Sequence, residues 1–424
     1  MDTVVSLGYG EDQVEIEIKN AASVETILPR PMEVIDDLKK TFLHGVTDGT
    51  IGCGPLKEIV AKEDEVTIVV SDITRSWMHQ DKIMPLLVSY LHDEIGVDFD
   101  RITVVIALGT HRRSTPEELV KICSSYVCEH VTVVDHDCDS EDLVYVGTTS
   151  RGTRVEVNPL VVGRKVIVVG GTVHHMMAGF GGGRKNLLPG VAGRETIRQN
   201  HSRALDPEKA MTDARVGCCL LTDNPIHEDM MEAAHLVHAD FSINIVVAST
   251  GEHSGIFCGD LDAAWEASCQ YQRDCYEIQI PEPADIVLCS SGGYPKDMNL
   301  YQGCKGMLNA MRALKPGGEM LWACKCPEGG GAPDYFSWLQ PLLEGHLEPS
   351  LRADFTIGGY IFFLTVEQLN KASHVYTYTE LDPSLVDPMG MTAGNDLKQL
   401  VKQIDFTGKK VYVLPYAGSV VPIS

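Results

Sequence analysis

The sequence predicts an α/β protein of two domains with mainly parallel sheets. The chain has 424 residues, which exceeds one ordinary domain, and 44% of them are hydrophobic. Short runs rich in valine and isoleucine recur between helical patterns, at 65–70, 102–106, 131–134, 165–169 and 241–247. Runs that are apolar on both faces are typical of parallel strands covered by helices.

The first domain is expected to span 1–275. Alternating residues around a Gly-Tyr-Gly turn predict a β-hairpin over 2–18, and 143–157 resembles a second ribbon. The strand over 241–247 is expected to be the last of this domain. Helices are predicted from apolar spacing and from capping residues, at 32–45, from Pro55, at 81–92, after 114–118, at 223–238 and at 261–275.

The second domain is expected to span 276–404, because Pro281-Glu282-Pro283 marks a joint before a new apolar strand. Its strands are predicted at 285–289 and 317–322, and a terminal strand at 409–415. Its helices are predicted from Leu300 and at 334–344, 366–372 and 394–404.

Composition excludes several classes of function. The formal net charge of −24 repels nucleic acid and anionic membranes, so neither is expected as a partner. No apolar run approaches 18 residues and no targeting segment opens the chain, so we expect a cytoplasmic protein. Thirteen cysteines without a C-x-x-C pair indicate reduced thiols. An anionic substrate would need a local cationic pocket, for which the candidates are Arg75, Arg184, Lys185 and Lys305.

A glycine-rich stretch follows the 165–169 strand and is the strongest motif of the chain. Four of the five residues from Gly179 to Gly183 are glycines, which would let backbone N–H groups approach a phosphate. The Walker pattern fails because Lys185 is followed by asparagine. The dinucleotide pattern fails because Arg184 takes the place of its third glycine. The stretch therefore predicts an anion-binding loop with one reactive amine, Lys185.

Polar residues also follow two other predicted strands. Asp72, Thr74 and Arg75 come after the 65–70 strand, and His111 comes after the 102–106 strand. Asp72 and Thr74 could equally cap a helix or a turn. The carboxyl ends of parallel strands share one sheet edge, so Asp72, His111 and His175 are expected to lie along that edge.

The glycine-rich stretch resembles the signature of the nickel-dependent lactate racemase family. The matching residues are His175, Ala178-Gly179, Gly182-Gly183, Lys185, Pro189-Gly190 and Asn200-His201. The cofactor of that family is a nickel pincer nucleotide, a pyridinium-3-thioamide-5-thiocarboxylate mononucleotide. The resemblance implies that Lys185 holds the cofactor through a thioamide and that His201 is the nickel ligand. It implies that His175 and His111 are the catalytic acid/bases.

The resemblance implies further roles. Arg75 would bind the substrate carboxylate, and Tyr301, Gln302 and Lys305 would line the substrate pocket. Cofactor binding falls to Asp72, Gly181, Gly182 and Gly183 in addition to Lys185. The active site would lie in the cleft between the domains, and residues 405–424 would return to the first domain. Proteins of cofactor biosynthesis are implied as partners.

The function implied is racemisation or epimerisation of a small anionic 2-hydroxy acid. Removal of a hydride avoids deprotonation of a weakly acidic carbon and needs only a base for the hydroxyl proton. One alternative is a 2-hydroxyacid dehydrogenase that uses free nicotinamide cofactor, and another is a non-catalytic protein that binds a nucleotide or a metal. The chain departs from the family at a second-domain tryptophan, where it has Tyr360, Phe362 and Phe363.

Overall fold

The structure is a computed structural model that describes residues 2–424. The chain divides into two compact units. The carboxyl-terminal unit contains the residues up to Arg30, 204–214 and 274–424, and the glycine-loop unit contains 31–203 and 215–273. No helix among residues 2–424 has the length and apolar composition needed to cross a membrane.

The strands alternate with helices for most of the chain. In chain order the strands are β1 Thr3–Tyr9, β2 Asp12–Ile18, β3 Ser23–Thr26, β4 Val66–Ser71, β5 Ile102–Ala107, β6 Thr132–Asp135, β7 Val144–Thr148, β8 Arg154–Val157, β9 Lys165–Gly171, β10 His174–His175, β11 Ala178–Phe180, β12 Gly217–Cys218, β13 Phe241–Val247, β14 His253–Gly259, β15 Glu277–Gln279, β16 Ala284–Ser290, β17 Leu314–Ala323, β18 His374–Tyr378, β19 Thr392–Gly394, β20 Lys410–Leu414 and β21 Val421–Ile423.

The helices vary from one turn to more than four turns. In chain order they are α1 Leu38–Val46, α2 Leu56–Ile59, α3 Met84–Ser89, α4 Pro116–Cys123, α5 Ser125–His130, α6 Arg194–His201, α7 Pro225–Val237, α8 Leu261–Tyr276, α9 Leu300–Met311, α10 Leu339–Leu343, α11 Leu347–Ala353, α12 Ile357–Leu369, α13 Pro383–Val386 and α14 Leu397–Val401.

The glycine-loop unit is built on a six-stranded sheet in the order β14-β13-β9-β4-β5-β6. The pairs from β13 to β6 are parallel, and only the edge strand β14 is antiparallel. Every residue of β4 and β13 is buried, which explains why these runs are apolar on both faces. Each fully buried valine or isoleucine contributes about 1.5–3 kcal/mol. The predicted α/β class with mainly parallel sheets is confirmed.

The carboxyl-terminal unit has a second six-stranded sheet, in the order β19-β18-β17-β16-β20-β3 and parallel throughout. Strand β20, the strand predicted at 409–415, lies between β16 and β3, so this sheet joins the late strands to residues 23–26 of the amino-terminal segment. The amino-terminal hairpin β1-β2 buries Leu7 and Ile16 against the same sheet. The chain ends therefore belong with 274–424, which differs from the expected boundaries.

Several predicted elements differ in extent. The helix expected at 32–45 begins only at Leu38, where Asp37 caps it by accepting from Lys40 N–H at 2.9 Å. The helix expected at 366–372 is α12, Ile357–Leu369. It is buried on nearly every side, so its sequence lacks a polar stripe. Strand β14 follows β13, so β13 is not the last strand of its sheet.

Candidate active site

Asp72 and His111 meet at the carboxyl edge of the first sheet. Strands β4 and β5 are neighbours that end in register, with Ser71 opposite Ala107. The Asp72 carboxylate oxygen Oδ2 lies 2.7 Å from His111 Nδ1. The aspartate side chain is 5% exposed and the imidazole is 49% exposed. Asp72 therefore accepts the Nδ1 proton of a histidine whose other nitrogen, Nε2, can reach a ligand.

The Asp72 carboxylate is held by further donors. Thr74 Oγ1 donates to Asp72 Oδ1 at 2.6 Å, and Arg75 Nη1 donates to Thr74 Oγ1 at 3.1 Å. Burial alone would raise the pKa of Asp72, but the hydrogen bonds from His111 and Thr74 and the charge of Arg75 outweigh it and lower the pKa. Asp72 stands at the N-cap position of the turn Ile73–Met78, but its side chain makes no capping hydrogen bond there.

Buried side chains hold the glycine-rich loop from behind. The fully buried Arg184 donates to the carbonyls of Phe180 at 3.2 Å and Ala178 at 2.8 Å, and it lies 3.8 Å from the Trp265 ring centroid. Trp265 Nε1 donates to Gly181 O at 2.7 Å. Arg184 is therefore not a cation for an anionic substrate, because its guanidinium is used inside the protein.

Two backbone N–H groups of the glycine-rich loop already donate hydrogen bonds within the protein. Gly181 N–H donates to Val173 O at 2.7 Å, and Gly183 N–H donates to the Asn244 side chain at 3.0 Å. Gly182 and Gly183 have φ of 72° and 48°, and a Cβ on Gly183 would lie 2.8 Å from Trp265. These glycines are required for the path of the chain. The N–H groups of Gly181 and Gly183 already donate within the protein, which reduces what the loop offers to a phosphate.

The Lys185 amine lies beside His175. Lys185 Nζ is 3.3 Å from His175 Nε2, and His175 Nδ1 accepts the N–H groups of Met177 at 3.2 Å and Ala178 at 3.1 Å. An imidazole nitrogen that accepts hydrogen bonds carries no proton, so neutral His175 has its proton on Nε2. His175 therefore presents an N–H where His111 presents a lone pair.

His201 is the last residue of helix α6 and is 3% exposed. Its Nδ1 donates to the carbonyl of Ile197, one turn earlier, at 3.1 Å. Burial and then the positive charge of Lys185 lower the pKa of His201 to about 3. The imidazole is therefore neutral over the physiological range and keeps the Nε2 lone pair, which is the state that a metal requires.

Two hydrogen bonds join these groups into one region. Ser71, which precedes Asp72, donates to the side chain of Asn186, which follows Lys185, at 3.0 Å. Gly109 N–H, from the loop of His111, donates to Gly190 O at 2.9 Å. These bonds bring Asp72, His111 and Lys185 to the carboxyl edge of one sheet, with His175 beside Lys185 and His201 close enough to feel the Lys185 charge.

Sequence reasoning missed the buried support of His201. Asp229 of helix α7 is fully buried and accepts from Thr149 at 2.6 Å, Thr153 at 2.8 Å and Asn200 Nδ2 at 2.8 Å. It holds the residue next to His201 in place. An acidic residue among the apolar positions of α7 was the available signal, because a buried carboxylate needs several donors.

The three expected substrate residues share one end of helix α9 in the carboxyl-terminal unit. Lys305 Nζ donates to Gln302 Oε1 at 2.5 Å and lies 5.7 Å from the Tyr301 ring centroid. Tyr360 and Phe362, at the place of the expected tryptophan, are fully buried in α12. Tyr360 donates to Thr212 Oγ1 at 3.4 Å.

The burial of His201 makes the folded state sensitive to acid. Unfolded histidine titrates at a pKa of about 6.5, and folded His201 at about 3. Between these two pKa values the unfolded chain binds a proton at this histidine that the folded chain does not. The stability that neutral His201 contributes is therefore complete above the unfolded pKa and is lost as the pH falls towards the folded pKa. In this range the free energy of unfolding falls by at most about 1.4 kcal/mol per pH unit. In urea unfolding, His201→Gln should flatten the decline between about pH 6 and pH 4.

The matched control is His130→Gln, which changes an exposed histidine of α5 and is measured over the same pH range. If the free energy of unfolding of His201→Gln falls with pH as steeply as that of the unmodified protein, His201 does not titrate as described.

Comparisons with known proteins identify the family of the chain. The sequence-family model of the lactate racemase N-terminal domain matches residues 9–212, and the family model of the C-terminal domain matches residues 280–421. The lactate racemase of Thermoanaerobacterium thermosaccharolyticum is 32% identical over 295 residues, which are 69% of this chain and 67% of that protein. The lactate racemase of Lactiplantibacillus plantarum is 32% identical over 292 residues, 68% of this chain and 66% of that protein.

Solved structures give the same result. The lactate racemase apoprotein of Thermoanaerobacterium thermosaccharolyticum superimposes with a TM-score of 0.87 at 25% identity, over 100% of both chains. A Thermotoga maritima protein shares the fold, with a TM-score of 0.67 at 17% identity over 92% of this chain and 99% of that one. The chain belongs to the lactate racemase family and is an isomerase of the racemase class.

Proposed function

We propose that the protein racemises a small 2-hydroxy acid of the lactate type, with a nickel pincer nucleotide tethered to Lys185. The observation that carries the proposal is the environment of the Lys185 amine. It lies 3.3 Å from His175 Nε2, its charge acts on the buried His201, and its neighbour Asn186 is joined to the end of β4, where Asp72 binds His111.

The residues fit this cofactor. A primary amine is needed for a thioamide, and Lys185 supplies it. A nickel ion with sulfur ligands would accept a neutral imidazole, and His201 is buried, neutral and fixed through Nδ1. When bound, the cofactor would supply a hydride acceptor. Proteins that make the cofactor are therefore proposed partners of this chain.

The two histidines are proposed to move the hydroxyl proton. His111 directs an Nε2 lone pair outward while Asp72 holds Nδ1–H, so it can accept the substrate hydroxyl proton as the carbon loses a hydride. When His175 is the acid, its imidazolium form gives the Nε2 proton to the oxygen of the 2-oxo acid as the carbon regains a hydride, and a neutral imidazole remains. For the opposite enantiomer the two histidines act in the reverse order.

Substrate binding is proposed for Arg75, with Tyr301, Gln302 and Lys305. A guanidinium can hold a carboxylate through two parallel hydrogen bonds, which fixes the orientation of the acid as well as its position. Gln302 and Lys305 are already hydrogen bonded to each other, so they form a prepared polar pair on α9.

The direct test is interconversion of enantiomers. The protein would be produced together with the cofactor-biosynthesis proteins and incubated with either enantiomer of lactate and of longer 2-hydroxy acids, with products separated by chiral chromatography. We expect both enantiomers of one acid to reach a 1:1 mixture without added nicotinamide. Net oxidation that depends on added nicotinamide would favour the dehydrogenase alternative, and no turnover would favour a binding protein.

Asp72→Asn should lower kcat by about 10²-fold or more. The amide loses the charge that stabilises the His111 imidazolium and no longer fixes its tautomer. Nickel content should stay at the level of the unmodified protein. Steady-state kinetics against pH measure the effect, and Asp36→Asn at an exposed position is the control. An unchanged kcat and pH profile would show that Asp72 does not act through His111.

Arg75→Lys should raise KM for the acid by about 10-fold, because a lysine cannot make the paired contact with a carboxylate. The substitution keeps the positive charge, so the rise in KM measures the loss of the paired hydrogen-bond geometry. Arg113→Lys is the matched control, since Arg113 is exposed and pairs with Asp137 at 2.9 Å. Initial rates over a range of substrate concentrations give KM, and equal values for both variants would remove Arg75 from the substrate site.

A further inference from the structure

A tryptophan is exposed on the turn Ile73–Met78, which directly follows strand β4. The chain has four tryptophans, and all of them lie within residues 2–424. Trp265, Trp322 and Trp338 are at most 8% exposed, whereas Trp77 is 40% exposed. An indole is a large apolar surface that folding normally buries, and a tryptophan left at the surface is typical of places where another molecule covers it. The exposure of Trp77 therefore indicates a contact with a ligand.

The geometry of the turn places the Trp77 side chain on the same face as Thr74. In a 3₁₀ helix, side chains three residues apart lie one above the other, about 6 Å apart along the axis. Thr74 and Trp77 are separated by three positions, and both are exposed. The Arg75 guanidinium reaches this face as well, because its Nη1 donates to Thr74 Oγ1 at 3.1 Å and to Thr74 O at 3.3 Å.

Thr74 also connects this face to the pair of Asp72 and His111. Its Oγ1 donates to Asp72 Oδ1 at 2.6 Å, and Asp72 Oδ2 lies 2.7 Å from His111 Nδ1. An imidazole, a guanidinium and an exposed indole are therefore grouped around one threonine. They correspond to the hydroxyl, the carboxylate and the side chain of a 2-hydroxy acid. A phenyl ring carried on the third carbon lies about 5 Å from the carboxylate carbon, close to the length of one 3₁₀ turn.

We propose that Trp77 is a specificity residue, whose indole contacts the side chain of the 2-hydroxy acid that Arg75 binds. This inference rests on the proposed function and deepens it by naming the side-chain class, which is apolar and larger than the methyl group of lactate. The flat face of an indole is covered well by a second ring and poorly by one methyl group. The protein should therefore prefer an acid such as 3-phenyllactate to lactate.

Tryptophan fluorescence measures this contact directly, because Trp77 is the indole that a dissolved quencher reaches first. The protein is produced together with the cofactor-biosynthesis proteins, and quenching by acrylamide is recorded with and without 3-phenyllactate. We expect the acid to abolish the easily quenched component, and the same concentration of lactate to leave most of it. Trp77→Phe should lack this component from the start, which assigns the signal to Trp77.

Two results of the quenching experiment would overturn the proposal. One is an easily quenched component that 3-phenyllactate leaves unchanged. The other is a component that depends on protein concentration and not on the acid, because Trp77 would then contact a second copy of the chain.

The ratio of kcat/KM for 3-phenyllactate to kcat/KM for lactate tests whether the contact sets specificity. Trp77→Ala should lower this ratio at least about 10-fold, the size of effect that a hydrophobic contact in a pocket produces. Trp77→Phe keeps a ring and should stay within about threefold of the unmodified protein. Tyr145→Ala removes an exposed aromatic side chain elsewhere in the same unit and should leave the ratio unchanged. An equal loss for both acids in Trp77→Ala would contradict the specificity role.

The two experiments distinguish failure of this inference from failure of the proposed function. If the unmodified protein racemises neither acid while 3-phenyllactate still protects Trp77, the racemase proposal fails and the contact is supported. If the protein racemises lactate while neither the quenching nor the ratio responds as described, the racemase proposal holds and the role of Trp77 is refuted.

Discussion

Replacing Lys185 with arginine is expected to abolish both bound nickel and racemisation. The variant keeps a positive charge beside His175 and His201, so the electrostatic environment changes little. It loses the primary amine that a thioamide requires, and a guanidinium is far less nucleophilic. We expect activity at the uncatalysed background in the chiral assay, and a nickel content near zero after protein and cofactor machinery are produced together.

The matched control is Lys165→Arg. Lys165 begins strand β9 of the same sheet and pairs with Asp240 at 2.9 Å, a contact that arginine can preserve. This variant should keep both nickel and activity. Racemisation by the Lys185→Arg protein at more than a small percentage of the normal rate would show that the amine does not hold the cofactor covalently.

Replacing either His111 or His175 with glutamine is expected to lower kcat by about 10²–10⁴-fold, the usual contribution of a positioned acid or base. Nickel should remain bound, because neither side chain is its proposed ligand. The double variant should be little worse than each single variant, since the two proton transfers belong to one interconversion and the loss of either already blocks it. Kinetics from both enantiomers and nickel analysis measure these effects.

His130→Gln again serves as the control for loss of an imidazole, and it should racemise normally. The two enantiomers provide a further check, because each should depend on both histidines. Retained racemisation in either His111→Gln or His175→Gln would rule out the scheme in which one histidine accepts the hydroxyl proton and the other donates a proton to the 2-oxo acid.

The sequence predicted the central strands well because their burial makes them apolar on both faces. Strands β4, β5, β9 and β13 lie within a residue or two of their predicted bounds. Strand β14 was missed because its sequence, HSGIFCG, mixes polar residues and glycines into an antiparallel edge. The bounds of α12 were misplaced because a helix buried on nearly every side shows no 3.6-residue period.

The assignment of chain ends could not be made from sequence. Strand β3 and strand β20 are separated by almost the whole chain, and only their pairing places both in the carboxyl-terminal sheet. Local patterns report the type of an element and its buried face, but they carry no information on which distant strand it joins.

The proximity of some residues of the candidate site could be predicted from the sequence, but their contacts could not. The ends of adjacent parallel strands must share an edge, so Asp72 and His111 were expected to be near each other. The hydrogen bond from His111 to the Asp72 carboxylate, and those from two backbone N–H groups to His175 Nδ1, depend on local geometry that no motif specifies. Arg184 was misread because the sequence cannot show whether a loop arginine faces solvent or Trp265.

The most direct test of the proposed mechanism is the intact mass of the denatured protein after production with the cofactor-biosynthesis proteins, followed by peptide mapping. We predict a mass increase equal to one pincer nucleotide, retained without nickel after denaturation and located on the peptide that contains Lys185. An unmodified Lys185 in protein that racemises a 2-hydroxy acid would contradict the covalent tether on which the proposed mechanism depends.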